Sequence, residues 1–311
     1  MTALVGYTGF VGSNIYASAG NAIEKVYNSK NIEEAFGTEP DILIFSGLRA
    51  EKYLADSFPE QDLERIKEAE ENIKKIAPKK LVLISTIDVF KIPVDVDENS
   101  EIDTDGLSPY GANRYSFEKW VRENYPDALI IRLPGLFGKN IKKNFIYDYI
   151  NVIPFMLKDT KFEELSEQRP ELKDYYELQD NGFRKLKTSA VAAQEEKEKL
   201  KVIFLEIGFS ALNFTDSRSV FQFYDLSKLW DDINKCLEAD IRLWHPATEP
   251  VSAAELYEYL SGGKFVNELP GKTPAFYDYK TIHAELFGGS NGYIKDKATV
   301  LDEIKTFGGK L

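Results

Sequence analysis

The stretch that decides the fold is MTALVGYTGFVGSNI at residues 1–15. Its apolar start predicts a β-strand over 2–6, and the residues that follow the second glycine predict a helix over 10–19. Between them, glycines recur at every third position. Glycine spacing alone is a weak signal, but a strand directly before it and a helix directly after it make the pattern more specific.

Each of these glycines has its own physical reason in a strand–turn–helix that binds a diphosphate. Gly6 lets the strand turn sharply, Gly9 leaves room for a diphosphate next to the backbone, and Gly12 lets the helix pack on the sheet. The main-chain N–H groups of Phe10 and Val11 would then face the anion, helped by the helix dipole. The alternative is a tight turn that binds no ligand.

The rest of the first half repeats the alternation of apolar runs and charged helical segments. We predict further strands within 24–28, 41–47, 80–90, 128–138 and 241–248, and helices over 62–77 and 110–125. The longer apolar runs show no polar alternation, which is typical of parallel strands covered on both faces. The sequence therefore predicts an α/β fold with a doubly wound parallel sheet.

The composition excludes several classes of protein. The chain has 311 residues, of which 43% are hydrophobic, and a net charge of −12, so it should repel nucleic acid and anionic membranes. Without a long apolar segment it is expected to be cytoplasmic and not bound to a membrane. The single cysteine, Cys236, is interpreted as a buried small hydrophobic residue. His245 and His283 lie apart from carboxylates at metal-ligand spacing, so no metal site is expected.

The residues after the second predicted strand bear on the choice of dinucleotide. A carboxylate usually ends this strand and binds the adenosine ribose, but here the position falls near Asn28. Ser29 and Lys30 offer a hydroxyl and a cation to a 2′-phosphate. This favours NADP over NAD, although Lys30 is equally compatible with an ordinary surface lysine.

Three side chains further along form a candidate catalytic group. Thr86 lies at the end of a strand, where its hydroxyl can bind a substrate carbonyl or alcohol oxygen. Tyr110 begins the next helix and can transfer a proton when its pKa suits the reaction. Arg114 lies four residues later on the same helical face, where its charge would favour the phenolate. These groups suit hydride transfer to or from a carbinol carbon.

Taken in order, these motifs resemble the extended short-chain dehydrogenase/reductase family, which includes nucleotide-sugar epimerases, dehydratases and 4-ketoreductases. The resemblance covers nearly the whole chain. It rests on the family elements GxxGxxG, Ser/Thr-x-x-Val-Tyr/Phe, YGxSKxxxE and RDFxYVxDV, matched here by GYTGFVG, STIDVF, YGANRYSFE and RSVFQFYDL. In YGANRYSFE, Arg114 stands at the position of the lysine in the family's YGxSKxxxE.

The helix at 110–125 offers two tyrosines for the family's proton-transfer role. Tyr115 and Lys119 form a literal YxxxK, whereas Tyr110 is followed four residues later by Arg114. We choose Tyr110 because its Pro-Tyr-Gly context and Glu118 eight residues later keep the motif in register. The two tyrosines differ by about 140° around the helix, so they do not face the same crevice.

The resemblance implies a Rossmann-type dinucleotide-binding domain, formed by 1–138 and 218–247, and a smaller, mixed C-terminal substrate-binding domain, formed by 139–217 and 248–311. The second domain includes a charged helical insertion at about 158–201, interpreted as a solvated excursion or lid. Tyr110 and Arg114 would also contact the cofactor, with Arg114 on the nicotinamide ribose.

A nucleotide-sugar substrate carries a diphosphate that needs a local cation. Lys143 and Asn144 follow a predicted strand, and Arg218 matches the family's usual diphosphate contact; arginine binds phosphate in bidentate fashion. For the lysine, a solvated loop is the alternative.

The leading hypothesis is an NAD(P)-dependent 4-keto reduction of a nucleotide-sugar, with epimerisation as a further possibility. STIDVF resembles the STDYVF of the family's dehydrorhamnose-type reductases, which favours reduction. The alternative is a non-catalytic cofactor-binding or nucleotide-binding protein, because Arg114 replaces the lysine. Family analogy also implies a homodimer through the helices at 62–77 and 110–125.

Overall fold

We analysed a computed structural model of the chain, which describes residues 1–50, 52–180 and 182–309, apart from the side chains at 53 and 54. The chain divides into two compact units. The first contains residues 1–141, 220–251 and 276–307, and the second contains 142–219, 252–275 and 308–309.

The helices and strands of the chain are as follows, in order. They are β1 (Thr2–Val5), α1 (Phe10–Ala19), β2 (Lys25–Tyr27), β3 (Ile42–Phe45), α2 (Lys52–Ser57), α3 (Pro59–Ile76), β4 (Lys80–Thr86), α4 (Pro109–Asn124), β5 (Leu129–Leu133), β6 (Gly135–Phe137), α5 (Phe145–Asn151), β7 (Met156–Lys158), α6 (Asp159–Gln168), α7 (Leu172–Tyr175), β8 (Tyr176–Leu178), β9 (Phe183–Leu186), α8 (Gln194–Glu206), β10 (Val220–Phe221), β11 (Phe223–Asp225), α9 (Leu229–Glu238), β12 (Leu243–Trp244), β13 (Val251–Ser252), α10 (Ala253–Ser261) and α11 (Lys297–Gly308).

The first unit is built on a six-stranded parallel sheet in the order β12-β5-β4-β3-β1-β2. From β1 the chain adds β2 on one side and then returns to add β3 on the other side. The direction of strand addition therefore reverses at β1, which makes the carboxyl end of β1 a topological switch point. The predicted fold class, a doubly wound parallel α/β sheet, is confirmed.

Both faces of the sheet are apolar, because alternate residues of each strand enter opposite cores. One core joins strand residues such as Val5 and Leu83 to Ile66 and Ile73 of α3 and to residues of α4. The other joins the intervening strand residues to α1 and α9, and includes Cys236. The cysteine is buried, as predicted.

Residues 276–307 pack with the first unit, whereas the predicted division assigned them to the substrate-binding region. The physical reason is burial. Tyr279 is fully buried with Ile87 and Ala247, and Ile294 lies in the core beneath α9. The sequence pattern of this stretch gave no indication of which core would receive these side chains.

The second unit contains a small three-stranded antiparallel sheet in the order β7-β9-β8. Helices α6, α7 and α8 surround a core that includes Leu157, Phe162, Tyr176, Leu200 and Phe204. The predicted charged helical insertion at 158–201 thus has helices at both ends, but it also contains strands and a hydrophobic core of its own. Its charged residues cover the outside of this core.

A buried charged network joins α4 to the central sheet of the first unit. Glu118 is fully buried and accepts hydrogen bonds from Ser85 Oγ at 2.6 Å and from Arg132 Nη2 at 2.7 Å. Arg132 Nε also contacts both carboxylate oxygens at 3.1 Å. Because the arginine is 1% exposed, the charge on each side chain is compensated by the other and not by water.

His245 completes this network in its neutral form. Its Nε2 lies 3.3 Å from Arg132 Nη1, and its Nδ1 lies 3.2 Å from the Lys280 carbonyl oxygen. Since arginine only donates, Nε2 accepts and Nδ1 donates to the carbonyl. Burial, reinforced by the charge of Arg132, lowers the pKa of His245 from 6.5 to about 3.

We expect His245 to make folding stability depend on pH. The unfolded state binds a proton below about pH 6.5 and the folded state only near pH 3, so stability falls as pH is lowered through this window. The slope from this one group is at most about 1.4 kcal/mol per pH unit. Urea unfolding of wild type and His245→Gln at several pH values measures it. The slope difference between the two proteins should vanish above pH 7, and an unchanged slope in His245→Gln would contradict this assignment.

Among the described residues, no helix has both the length and the hydropathy needed to cross a lipid bilayer.

Candidate functional site

The turn after β1 is packed so closely that glycine is required at two of its positions. Gly6 has φ +92°, and a Cβ there would lie 2.5 Å from the Ser46 carbonyl oxygen. A Cβ at Gly12 would lie 2.2 Å from the Gly6 carbonyl oxygen. The first glycine therefore allows the turn and the third allows α1 to approach it.

Gly12→Ala should lower the free energy of unfolding by about 1–3 kcal/mol, because the new methyl group meets the backbone of a tight turn. Gly9→Ala is the matched comparison, since its Cβ would lie 3.2 Å from the Gly6 carbonyl oxygen and needs only a small adjustment. Chemical denaturation of the two variants measures the difference. Equal midpoints would show that the turn yields easily and would contradict the packing argument.

The N-terminus of α1 faces outward from the switch point without a side-chain cap. Gly9 is the N-cap residue and makes no side-chain hydrogen bond. The N–H groups of the first helical turn, which belong to Phe10 and Val11, have no partner within a helix. Such a helix end binds anions through its free N–H groups and its dipole. The turn can therefore receive a diphosphate.

The loop after β2 lies next to this turn, because the Gly6 N–H donates to the Tyr27 carbonyl oxygen at 2.7 Å. Asn28 Oδ1 accepts the Lys30 N–H at 2.8 Å and forms a local turn. The side chains of Ser29 and Lys30 are exposed. The loop presents a hydroxyl and a cation beside the turn, and its own residues include no carboxylate.

Thr86 and Tyr110 come together at the carboxyl end of β4. Pro109 begins α4, and Ser108 Oγ caps the helix by accepting the Gly111 N–H at 3.2 Å. A Cβ at Gly111 would lie 2.3 Å from the Asp88 carbonyl oxygen, so the glycine lets the helix start close against the end of β4. This packing brings the Tyr110 phenol to the Thr86 hydroxyl.

The phenol of Tyr110 is kept in its protonated form. Burial raises the pKa of Tyr110, and the charges of Asp88 and Asp62 raise it further. The charge of Arg114 and the hydrogen-bonding influence of Thr86 act in the opposite direction, but the pKa remains above its ordinary value of 10. At neutral pH the group is therefore a proton donor rather than a base.

The Arg114 guanidinium lies over the Tyr110 ring, 4.6 Å from its centroid. Its Nη1 and Nη2 donate to the two oxygens of Asp62 at 2.8 and 3.1 Å, and Nη2 also donates to the Arg49 carbonyl oxygen at 2.9 Å. The arginine is 5% exposed. Much of its hydrogen-bonding capacity is thus used within the protein.

A second charged group lies beside the tyrosine and was not among the predicted site residues. Asp88 accepts hydrogen bonds from Lys52 Nζ at 3.1 Å and from the Tyr277 hydroxyl at 3.0 Å. The main-chain N–H of Asp88 donates to Thr86 Oγ1 at 3.2 Å. The side chains of Asp88, Lys52 and Tyr277 line a cavity of about 210 Å³. Sequence reasoning had no signal for Lys52 or Tyr277, which reach the site from distant parts of the chain.

The rival pair on α4 lies in different surroundings. Tyr115 packs against the cluster that contains Ile87 and Phe90, and the Lys119 ammonium lies 5.2 Å from the centre of its ring. The choice of Tyr110 over Tyr115 stays a prediction.

The three predicted substrate contacts lie in the second unit. Asn144 caps α5, with Oδ1 accepting the N–H groups of Ile146 and Tyr147, and Lys143 is exposed. Arg218 is half-exposed and pairs with Asp216 at 2.8 Å and with Glu268 at 3.0 Å. A phosphate would have to compete with these carboxylates for the arginine.

The fold is shared with solved structures of nucleotide-sugar enzymes. One of them is a dTDP-4-dehydrorhamnose reductase from Bacillus anthracis str. Ames in complex with NADP, which is 16% identical; the alignment covers 100% of this chain and 98% of that one, with a TM-score of 0.62. The enzyme WbmG from Bordetella bronchiseptica, in complex with NAD and UDP, is 13% identical; the alignment covers 99% of this chain and 94% of that one, with a TM-score of 0.64.

The UDP-glucose 4-epimerase of Thermotoga maritima, with UDP-glucose, is 15% identical; the alignment covers 99% of this chain and 98% of that one, with a TM-score of 0.62. No family model and no curated protein matches the chain. The fold predicted from the resemblance is confirmed over nearly the full length of the chain.

Proposed function

We propose that this protein is an NAD(P)-dependent oxidoreductase that reduces the 4-keto group of a nucleotide-activated sugar. The observation that carries the proposal is the placement of the buried Tyr110 phenol, at the start of α4, beside Thr86 at the carboxyl end of β4. A ketone reductase needs a proton donor at the carbonyl oxygen. An epimerase needs the same tyrosine to remove a proton from an alcohol first, and the resemblance of STIDVF to the dehydrorhamnose-type reductases supports reduction.

The glycine turn fits a dinucleotide. The bare backbone at Gly9 and the N–H groups of Phe10 and Val11 would hold the diphosphate. Because β3 lies between β1 and β4, the turn and Thr86 are separated by roughly 10 Å, or two strand spacings. A dinucleotide bound at the turn is long enough to reach the tyrosine.

The loop after β2 supports NADP over NAD. Lys30 offers a cation and Ser29 a hydroxyl to a 2′-phosphate, and Asn28 brings no carboxylate to repel it. Of the solved structures reported above, the reductase is a complex with NADP and WbmG is a complex with NAD.

The chain's own residues perform two tasks in the proposed reaction. A reduced nicotinamide, when bound, supplies the hydride for the carbonyl carbon. The Thr86 hydroxyl positions the carbonyl oxygen, and the Tyr110 O–H bond breaks so that its proton moves to the same oxygen, where negative charge develops. The phenolate then takes a proton from water. In the second unit, Lys143, Asn144 and Arg218 are the proposed contacts for the substrate diphosphate.

A cofactor oxidation assay tests this function. NADPH and NADH are offered with dTDP-4-keto and UDP-4-keto sugars, and absorbance at 340 nm is followed together with analysis of the sugar product. We expect oxidation of NADPH in step with formation of a 4-hydroxy sugar. Conversion of a 4-hydroxy sugar to its 4-epimer without net loss of NADPH would instead identify an epimerase.

The second candidate function is non-catalytic nucleotide binding, which the pairing of Arg114 with Asp62 favours. In that case the dinucleotide binds but no keto sugar oxidises it, and Tyr110→Phe leaves every measured property unchanged.

A further inference from the structure

Building on the function proposed above, we propose that Asp62 is a positioning residue for the proton transfer, which acts by holding Arg114 across the Tyr110 ring and offsetting its charge. The aspartate does not touch the phenol. It lies on α3 and reaches the site only through the arginine.

The geometry makes Asp62 a dedicated partner of the arginine. Its carboxylate is 6% exposed and receives both Arg114 donors at 2.8 and 3.1 Å. The amide Nδ2 of Asn113 adds a third hydrogen bond at 3.0 Å. A buried bidentate pair of this kind fixes both the place and the orientation of the guanidinium.

The pairing determines how the arginine affects the phenol. A lone guanidinium 4.6 Å from the ring centroid would stabilise the phenolate strongly, because nearby positive charge favours the anionic form of an acid. With Asp62 attached, the two opposite charges form a dipole, and its field at the phenol is weaker than that of the arginine alone. Asp62 thus offsets part of the effect of Arg114 on the pKa of Tyr110, while the stacked guanidinium keeps the ring in place.

The other charged groups near Tyr110 are also paired or solvated. Lys52 of α2 is paired with Asp88, which follows β4, and Tyr277 donates to that same aspartate. Asp56 of α2 accepts the Tyr110 main-chain N–H at 3.0 Å but is exposed to water. Among the described residues, the Asp62–Arg114 pair is thus the buried charge pair whose cation lies directly over the ring.

The inference explains how a site with arginine in place of lysine can donate a proton. A phenol that ionised readily would already have lost its proton before the ketone reached it. Offsetting the arginine charge keeps the proton on the oxygen until negative charge develops on the substrate. The arrangement suits the reductive direction and opposes alcohol oxidation.

The test measures the ionisation of Tyr110 without relying on turnover. Protein labelled with ¹³C at the tyrosine Cζ is titrated by NMR, and the Tyr110 signal is identified as the one missing from Tyr110→Phe. Asp62→Asn should lower the pKa of Tyr110 by on the order of one pH unit. Glu64→Gln removes the same charge from the exposed side of α3 and should leave the pKa unchanged.

A kinetic readout accompanies the titration. In the reductase assay, the alkaline limb of kcat for Asp62→Asn should move to lower pH by the same amount, while the KM for NADPH stays near the wild-type value. A purely structural role for Asp62 would lower the folded fraction without moving this limb.

A second pair of variants keeps the inference testable if Asp62→Asn does not fold. Arg114→Gln leaves the aspartate charge alone and should raise the pKa of Tyr110, and the double variant Asp62→Asn/Arg114→Gln should bring it back towards the wild-type value. Identical Tyr110 titrations in these two proteins, or in wild type and Asp62→Asn, would overturn the inference even with reductase activity intact. Failure of the reductase assay with these pKa shifts present would instead overturn only the proposed function.

Discussion

Tyr110→Phe should lower kcat for the reduction of the 4-keto sugar by about 10²–10⁴-fold, the usual contribution of a positioned general acid. The substitution removes only the hydroxyl, so the ring still fills its buried position beneath Arg114. Binding of NADPH should therefore be nearly unchanged. Steady-state kinetics and a fluorescence titration with NADPH measure the two quantities separately.

Tyr115→Phe is the matched control, because it removes the same atom from the same helix while Tyr110 remains in place. We expect its kcat to stay within a factor of about two to three of wild type, because the proposed general acid, Tyr110, is still present. If Tyr115→Phe is the inactive variant and Tyr110→Phe is active, then the literal YxxxK motif carries the chemistry and the proposed register is wrong.

Glu118→Gln should destabilise the first unit by about 3–5 kcal/mol, the cost of removing one partner from a buried ion pair. Arg132 is then left with its charge in the protein interior. Ser85 also loses its carboxylate acceptor. Because α4 is held to β4 and β5 through this side chain, the loss should appear as a lower midpoint in urea and in thermal unfolding.

Glu123→Gln, five residues further along α4, is the control for this prediction. Glu123 is exposed, and removal of a surface charge usually changes stability by less than about 0.5 kcal/mol. If the free energy of unfolding falls as little in Glu118→Gln as in Glu123→Gln, the charge of Glu118 contributes little and Arg132 is stabilised by other groups.

Two buried ion pairs join α4 to other elements, Glu118 with Arg132 of β5 and Arg114 with Asp62 of α3, and they affect the proposed chemistry differently. Glu118 and Arg132 hold the helix to the sheet, so their effect on activity comes through folding. Arg114 contacts the reactive ring and Asp62 holds the arginine there, so their effect comes through the charge around the ring. The family's YGxSKxxxE pattern places the tyrosine, cation and glutamate on one helix, but it contains no position for Asp62.

Local patterns predicted the parts of the fold that depend on neighbouring residues. The strand–turn–helix at 1–15, the helices α3 and α4, and the buried parallel strands all follow from apolar periodicity and turn residues. The insertion at 158–201 was predicted less well. Its strands are three or four residues long, and pairing across a charged sequence leaves no periodic signal.

The sequence by itself indicated the parallel α/β sheet, the three-glycine turn and the candidate threonine and tyrosine, because apolar runs, turn residues and motif spacing are visible along the chain. Only the tertiary structure decided the charge state of the site. Asp62 meets Arg114 across 52 residues, and Tyr277 meets Asp88 across 189. These contacts arise from the packing of separate elements, and nothing in the local sequence of either partner indicates the other.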